Sequence, residues 1–311
     1  FNDPQFSELN QTMSKNTIGI LYASFTALLW GFLAIALKVS LQELNPVTVV
    51  WFRFFIAFTS LLILMLIFDR SFVKTFKKPP LILFIAAFFL GMNYFGFITG
   101  IHYTSPSSAQ VFIQIGPVTL GLSGIILFKE RLTWKHVTGF LMLVLGFIIF
   151  YSTQINGLIK QNEEFTKGMF FVIFGGLSWA VFSIFQKILV RTYNTNHLNL
   201  FIYGFASLMF LPFADFTGLD QLDTGDWLLL VFLGLNTLFA YGSLALALKY
   251  AEANKISVII TLNPIITFGV MAMLEAAAVT WISHENFSLL ALLGAAIVFG
   301  GAVLVITSRK S

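Results

Sequence analysis

Residues 18–37 read IGILYASFTALLWGFLAIAL, an uncharged run of 20 residues that is long enough to cross a bilayer as one helix. Nine further apolar runs follow along the 311-residue chain, which is 58% hydrophobic and only 10% charged. Soluble domains carry about 25% charged residues, so this chain has too few charges to cover a water-facing surface. The runs are unbroken, whereas the strands of a transmembrane β-barrel alternate apolar and polar positions. The composition therefore predicts an all-α integral membrane protein.

The ten apolar runs predict ten transmembrane helices joined by short loops. Turn and breaker residues separate the runs, as at Asn45-Pro46 and Pro79-Pro80. An even number of crossings places both termini on the same side of the membrane. The predicted spans are 18–37, 47–68, 81–101, 109–128, 136–153, 168–187, 198–214, 227–248, 256–275 and 288–307.

Lysine and arginine collect on one side of the predicted helices. If the N-terminus is cytoplasmic, 14 of the 18 basic residues fall in inner segments or at inner helix ends. Because cytoplasmic loops retain basic residues, the sequence predicts cytoplasmic N- and C-termini. The net charge of +4 therefore reflects the basic residues at the cytoplasmic helix ends, and we predict no nucleic-acid partner.

The two halves of the chain resemble each other. An offset of 149 residues aligns Trp30 with Trp179, and an offset of 147 aligns Pro117 with Pro264. Each half has five predicted spans, and because five is odd the two halves must cross the membrane in opposite senses. We therefore predict two inverted five-helix repeats. The predicted segments are a polar N-terminal segment (1–15), a first repeat (16–153), an extracytoplasmic linker (154–167), a second repeat (168–308) and a basic C-terminus (309–311).

Polar side chains and a proline share one face of the fourth predicted helix in each half, at positions i, i+4 and i+7. They are Gln110, Gln114 and Pro117 in the first half, and Ser257, Thr261 and Pro264 in the second. Polar groups within a span are costly unless they face water or a partner, so these stripes predict the wall of a central solute site. Each proline should act as a hinge and free the carbonyl four residues earlier, at Ile113 and Ile260. Hydrogen bonding between helices is the alternative interpretation.

Further polar and aromatic residues within the predicted spans are candidates for the same site. They are Trp30, Trp179, Asn93, Tyr94 and Tyr241. Tryptophan and tyrosine combine an apolar body with one polar group, which suits a solute of mixed polarity, although ordinary aromatic packing is the alternative. Arg53 is the only charge well inside a predicted span. It should either snorkel or contact a carbonyl, or, if it faces the cavity, bind a carboxylate.

Few residues of the chain suit catalysis, metal binding or cofactor binding. There is no cysteine, and the four histidines fall in or near predicted loops. The chain also lacks the phosphate-binding motif of ATP-driven pumps. We therefore predict no catalytic residue, no metal and no cofactor, and a transporter of small solutes rather than an enzyme. A passive channel, and a polytopic membrane enzyme acting on lipid, remain the alternatives.

Several short motifs give the chain a family resemblance. They are Trp30-Gly31, Pro46 followed by Arg53-Phe54, Gly116-Pro117, Lys129-Glu130-Arg131-Leu132-Thr133, Ser178-Trp179-Ala180 and Asn263-Pro264. With these features the chain resembles the EamA family of the drug/metabolite transporter superfamily, which includes YddG-like metabolite and amino-acid exporters. Leu274-Glu275-Ala276 departs from the short Gly-Glu turn that is usual in the family.

The resemblance implies a ten-helix basket around a central cavity in the lipid bilayer, and specifically in a bacterial inner (plasma) membrane. It also implies a secondary transporter that exports amino acids or related metabolites by alternating access, without ATP. Substrate, direction and ion coupling are left open, and so is the choice between a monomer and a homodimer.

Overall fold

A computed structural model describes residues 14–158, 163–279, 281 and 289–306 of the chain. Within these residues the secondary structure is helical, without a β-strand, so the all-α prediction is confirmed there. Four predicted segments lie partly or wholly outside the described residues. The residues concerned are 1–13 of the polar N-terminal segment, 159–162 of the linker, 280, 282–288 and 307–308 of the second repeat, and the whole basic C-terminus at 309–311.

The described residues of the first half form seven helices and those of the second half form six. The first seven are α1 (Lys15–Ser40), α2 (Pro46–Phe68), α3 (Val73–Lys77), α4 (Leu81–Tyr103), α5 (Pro106–Phe112), α6 (Ile115–Ile126) and α7 (Trp134–Leu158). The other six are α8 (Glu163–Leu189), α9 (Thr195–Phe210), α10 (Thr224–Tyr250), α11 (Ala253–Ile260), α12 (Asn263–Ala276) and α13 (Leu289–Ile306). Short 3-10 turns cover Arg70–Phe72, Leu211–Phe213 and Leu219–Gln221.

Helical segments that can cross a membrane dominate the described chain. Seven of them are long and apolar enough by length and composition, so the chain is an all-α membrane protein. They are Lys15–Ser40, Pro46–Phe68, Leu81–Tyr103, Ser108–Ile126, Glu163–Leu189, Thr224–Tyr250 and Ala253–Ala276. Helices α7, α9 and α13 fall where the sequence predicts the remaining three spans. Helix α7 continues to Leu158 and α8 begins at Glu163, so both helices extend into the segment predicted as a linker.

The fourth predicted span of each half is a broken helix. The break between α5 and α6 lies at residues 113–114, and the break between α11 and α12 lies at residues 261–262. Each break precedes a proline, whose ring cannot donate the hydrogen bond that a continuous helix needs. One detail of the prediction is wrong, because the Ile113 carbonyl is not free: it accepts a hydrogen bond from the Gly116 amide at 2.9 Å.

The backbones of helices near the two breaks approach each other closely. Helix α4 lies along α8, and α10 lies along α1, in two of the most extensive contacts of the described bundle. At the first contact a β-carbon on Gly96 would lie 2.7 Å from the Phe171 carbonyl oxygen and 2.9 Å from the Gly175 Cα. Only glycine permits this approach, which is the usual way for helices to gain packing energy in lipid.

Gly96→Ala should therefore destabilise the folded protein. The added methyl group must push α4 away from the backbone of α8, and overpacking of this kind costs about 1–3 kcal/mol. A thermal-unfolding assay on the detergent-solubilised protein should give a lower Tm than wild type. Gly242→Ala is the matched control, because a β-carbon there meets no heavy atom within 4 Å. Equal Tm values for the two variants would contradict the close contact.

A candidate solute cavity

A cavity lies beside the two helix breaks, and it encloses about 520 Å³ of space between atoms, part of which is open to the outside. Helices α1, α2, α4, α8 and α10 complete its wall. The described lining residues are Trp30, Leu33, Arg53, Asn93, Tyr94, Phe97, Gln110, Ile113, Gln114, Pro117, Trp179, Tyr241, Ile260 and Asn263. The wall is therefore mainly aromatic and aliphatic. Its polar groups are the amides of asparagine and glutamine, the indole N–H groups, the tyrosine hydroxyls and one guanidinium. Pockets for small organic molecules usually have this mixture.

Aromatic rings form one side of the cavity. The rings of Trp30 and Trp179, which are equivalent positions of the two halves, meet edge to face with centroids 5.8 Å apart. The Tyr241 ring lies 5.2 Å from Trp30 and 5.6 Å from Tyr94. Neither indole nitrogen has a hydrogen-bond partner among the described residues. Both N–H groups are therefore unused donors beside the cavity.

Asn93 joins three helices at the same level. Its amide nitrogen donates to the Gly175 carbonyl of α8 at 2.9 Å, and its amide oxygen accepts from the Tyr241 hydroxyl of α10 at 3.3 Å. Both ends of the amide are thus used within the protein. Hydrogen bonds of this kind between helices average about 0.6 kcal/mol in membranes. Asn93 therefore positions the cavity wall.

Two glutamines project from the broken helix of the first half. The side-chain amide nitrogen of Gln110 donates to the backbone carbonyl of Trp30 at 3.2 Å. The side-chain amide nitrogen of Gln114 donates to the backbone carbonyl of Gln110 at 2.9 Å. The amide oxygen of Gln114 has no partner among the described residues, and neither has that of Asn263 on the opposite broken helix. The cavity therefore has an unused acceptor on each of its two broken helices.

Arg53 lines the cavity and is only 2% exposed. Its Nε donates to the Thr237 hydroxyl at 3.2 Å, and its guanidinium carbon lies 4.2 Å from the centre of the Tyr94 ring. The Tyr94 hydroxyl donates to the same Thr237 hydroxyl at 3.2 Å. In the part of the chain that the structure describes, no carboxylate pairs with Arg53. Arginine stays protonated in proteins, so this is a buried positive charge without a counter-charge.

Most of the candidate residues from the sequence line this cavity. These are Trp30, Arg53, Asn93, Tyr94, Gln110, Gln114, Pro117, Trp179 and Tyr241. Ser257, Thr261 and Pro264 are not among the lining residues. The Ser257 hydroxyl instead donates to the Pro117 carbonyl of α6, and the Thr261 hydroxyl donates to the Val258 carbonyl of its own helix.

The second broken helix instead presents Ile260 and Asn263 to the cavity. The stripe at i, i+4 and i+7 predicts a shared helix face but not the neighbour that the face meets, and Ser257 meets α6 instead of the cavity. Sequence reasoning therefore missed Asn263, although its place directly before Pro264 was a usable signal. The apolar lining residues Leu33, Phe97 and Ile113 carried no signal that distinguished them from other apolar residues of their helices.

A buried charge cluster ties the helices together on one side of the cavity, here called the Glu130 end. The Glu130 carboxylate accepts hydrogen bonds from the backbone amides of Ala253 at 2.7 Å and Asn254 at 3.0 Å. It also pairs with Lys187 at 3.4 Å, and the Lys187 ammonium donates to the Ala251 carbonyl at 2.9 Å. The N-terminus of α11 favours a carboxylate at this position. The cluster therefore links the loop after α6 to the ends of α8 and α10.

The opposite side of the cavity, here called the Lys38 end, has a similar lysine. The Lys38 ammonium donates to the Ile101 carbonyl at 3.1 Å and to the Thr104 carbonyl at 3.0 Å, at the end of α4. Lys38 and Lys187 are equivalent in the repeat alignment, and both bond to carbonyls where the neighbouring helix ends. Of these two lysines, only Lys187 pairs with a carboxylate of the described residues.

Proteins of known sequence support a transporter assignment. The model of the EamA-like transporter family matches residues 17–152 and 166–307. A protein of Escherichia coli (strain K12) with the name "Uncharacterized inner membrane transporter YhbE" is 31% identical over 289 residues, which are 92% of this chain and 90% of that protein. An "Uncharacterized transporter" of Haemophilus influenzae is 30% identical over 295 residues, 94% of this chain and 96% of its own length.

A solved structure supports the fold. A chain with the description "Crystal structure of protein" superposes on this one with a TM-score of 0.74 and is 19% identical. The match includes 95% of this chain and 100% of that chain. The two family matches together cover most of the sequence, including every helix that lines the cavity. The protein therefore belongs to the EamA-like transporter family.

Proposed function

We propose that the protein is a secondary transporter of small organic solutes, and specifically an exporter of amino acids or related metabolites. The cavity is the observation that carries this proposal, because it combines apolar rings with unused polar groups in the middle of a membrane-spanning bundle. Solute would bind against Trp30, Trp179, Tyr94 and Tyr241, with Gln110, Gln114 and Arg53 as polar contacts. Asn93 would hold the wall in place.

A ten-helix bundle of two inverted repeats, with both termini cytoplasmic, is part of the same proposal. Three observations support it. The contact of α4 with α8 has its counterpart in the contact of α10 with α1. Lys129 and Ala278, in the turns that follow the two broken helices, share an unusual backbone φ of 53°. The family model also matches two successive segments of similar length. Inverted halves of this kind can open a central site to alternate sides of the membrane.

Unequal contacts at the two ends support alternating access. At the Glu130 end, α6 approaches α11 closely, and a β-carbon on Gly121 would lie 2.8 Å from the Ser257 hydroxyl. The equivalent pair at the Lys38 end, α5 with α12, is less extensive. Glu130 directly follows Lys129, and the corresponding residue after Ala278 is Val279. The Lys38 end therefore has no carboxylate at the position that Glu130 occupies. The described conformation is thus held closed at the Glu130 end, which the charge pattern assigns to the cytoplasm.

The transport proposal predicts saturable counterflow in liposomes. Reconstituted protein that is preloaded with a panel of amino acids and related metabolites should exchange at least one labelled solute with saturation. A passive channel would conduct without counterflow, and a lipid enzyme would release a lipid product. Absence of saturable exchange across the panel would contradict the proposal.

Gln114→Ala should raise the KM of that exchange, because it removes an unpaired amide oxygen from the cavity wall. A hydrogen bond to a neutral group contributes about 0.5–1.5 kcal/mol, which corresponds to roughly a 2- to 12-fold change. Gln42→Ala is the control, because Gln42 is exposed and lies outside the cavity. An unchanged KM in well-folded Gln114→Ala protein would exclude Gln114 from the solute site.

Glu130→Gln should open the Glu130 end. The substitution removes the charge that holds Lys187 and the start of α11, so the closed state loses its ion pair. The chain has no cysteine, and Ser257→Cys therefore supplies a single thiol at the α6–α11 contact. Maleimide should label that thiol several-fold faster in the Glu130→Gln background. Glu275→Gln should not change the rate, and equal rates in all three backgrounds would rule out Glu130 as part of the closure.

A further inference from the structure

We infer that the cavity selects its solute by charge: it binds organic anions with a single carboxylate, which Arg53 holds, in preference to zwitterions and cations of the same shape. The inference rests on the proposed transport function and narrows its substrate class. Within the proposed substrate class, it favours related carboxylic acids without an ammonium group over the amino acids themselves.

The charge of the cavity wall is the first reason. Arg53 is the only ionised side chain among the described lining residues, and none of them is acidic. The cavity therefore carries one positive charge that the described protein does not neutralise. Taking a charge out of water without a partner is expensive, and an anionic solute would supply the missing partner. A cation would add to the imbalance.

The setting of the guanidinium is the second reason. Arginine has five N–H donors in a planar fork that matches a carboxylate. The Thr237 hydroxyl accepts from Nε. The guanidinium donors therefore outnumber this acceptor. The Tyr94 ring also supports one face of the fork and restricts its orientation. A carboxylate in the cavity would be a partner for the remaining donors.

The other polar groups of the cavity are the third reason. The unused acceptors on Gln114 and Asn263 and the unused donors on Trp30 and Trp179 are all neutral. They suit a hydroxyl, a carbonyl or an amide on the solute. An ammonium group would lose its hydration and find no counter-charge, and it would be repelled by Arg53. Zwitterionic amino acids carry this penalty, whereas the corresponding acids do not.

A shape-matched set of four solutes tests the inference on the wild-type protein. Hydrocinnamate, phenylalanine, phenylpropylamine and phenylpropanol share one skeleton and differ in charge. Binding is measured by the shift in Tm and by competition against counterflow. Both solutes offer Arg53 a carboxylate, but phenylalanine must also bury an ammonium group that finds no counter-charge. Hydrocinnamate should therefore bind at least about tenfold more tightly than phenylalanine, a difference of about 1.4 kcal/mol. Phenylpropylamine should bind more weakly than phenylpropanol.

Arg53→Gln assigns the preference to one side chain. It should weaken hydrocinnamate binding by about 10- to 100-fold and leave phenylpropanol binding unchanged, which a merely misfolded variant would not do. Arg53→Lys should retain part of the preference for the anion. Arg70→Gln, at an exposed arginine outside the cavity, is the control and should leave all four affinities at the wild-type values.

The outcomes separate this inference from the proposed function. Equal or tighter binding of phenylalanine or phenylpropylamine by wild-type protein would overturn the charge selection, and so would failure of all four solutes to bind. In each of these cases, saturable counterflow of another solute would leave the transport proposal standing. Loss of counterflow for every solute in the wider panel would remove the transport proposal itself.

Discussion

The hydrogen-bonding demand of the backbone in lipid governs this structure. A bilayer core offers no water, so a peptide group that leaves the helical pattern must find a partner within the protein or face a polar cavity. Two helices of the described bundle break at mid-length, at residues 113–114 and 261–262, and the cavity lies where the breaks meet. The first break meets this demand within the protein, because the Ile113 carbonyl accepts from the Gly116 amide and the Gln110 backbone carbonyl accepts from the Gln114 side chain. The unpaired amide oxygens of Gln114 and Asn263 add polar groups beside the breaks.

Two kinds of buried charge occur in the bundle, and their surroundings give them different roles. Glu130 and Lys187 are paired with each other and with backbone groups, so their desolvation is offset and they hold helix ends together. Arg53 has a hydroxyl and an aromatic face but no carboxylate among the described residues. A charge of the first kind stabilises one arrangement of the helices. A charge of the second kind is available to a ligand.

Helical periodicity predicted some of the cavity-lining residues correctly and missed others. Gln110, Gln114 and Pro117 were predicted to share the cavity face of one helix, and all three line the cavity. The same pattern did not place Ser257 and Thr261 there. Ser257 lies against α6, where the short distance at Gly121 turns its hydroxyl toward the Pro117 carbonyl. A pattern along one helix contains no information about which neighbour approaches it.

Composition and local pattern alone determined that the chain is a bundle of membrane-crossing helices. Each run is apolar and has the length that a helix needs to span the hydrocarbon core of a bilayer. Local pattern also predicted a hinge in the fourth span of each half, because proline removes a backbone donor from the helix interior; that each span is divided into two helices is seen only in the structure. Only the tertiary structure decided that Arg53 reaches the cavity, that Asn263 replaces Thr261 in its wall, and that Glu130 pairs with Lys187. These contacts join residues far apart in the chain, and they depend on the approach and rotation of packed helices, which no local sequence pattern encodes.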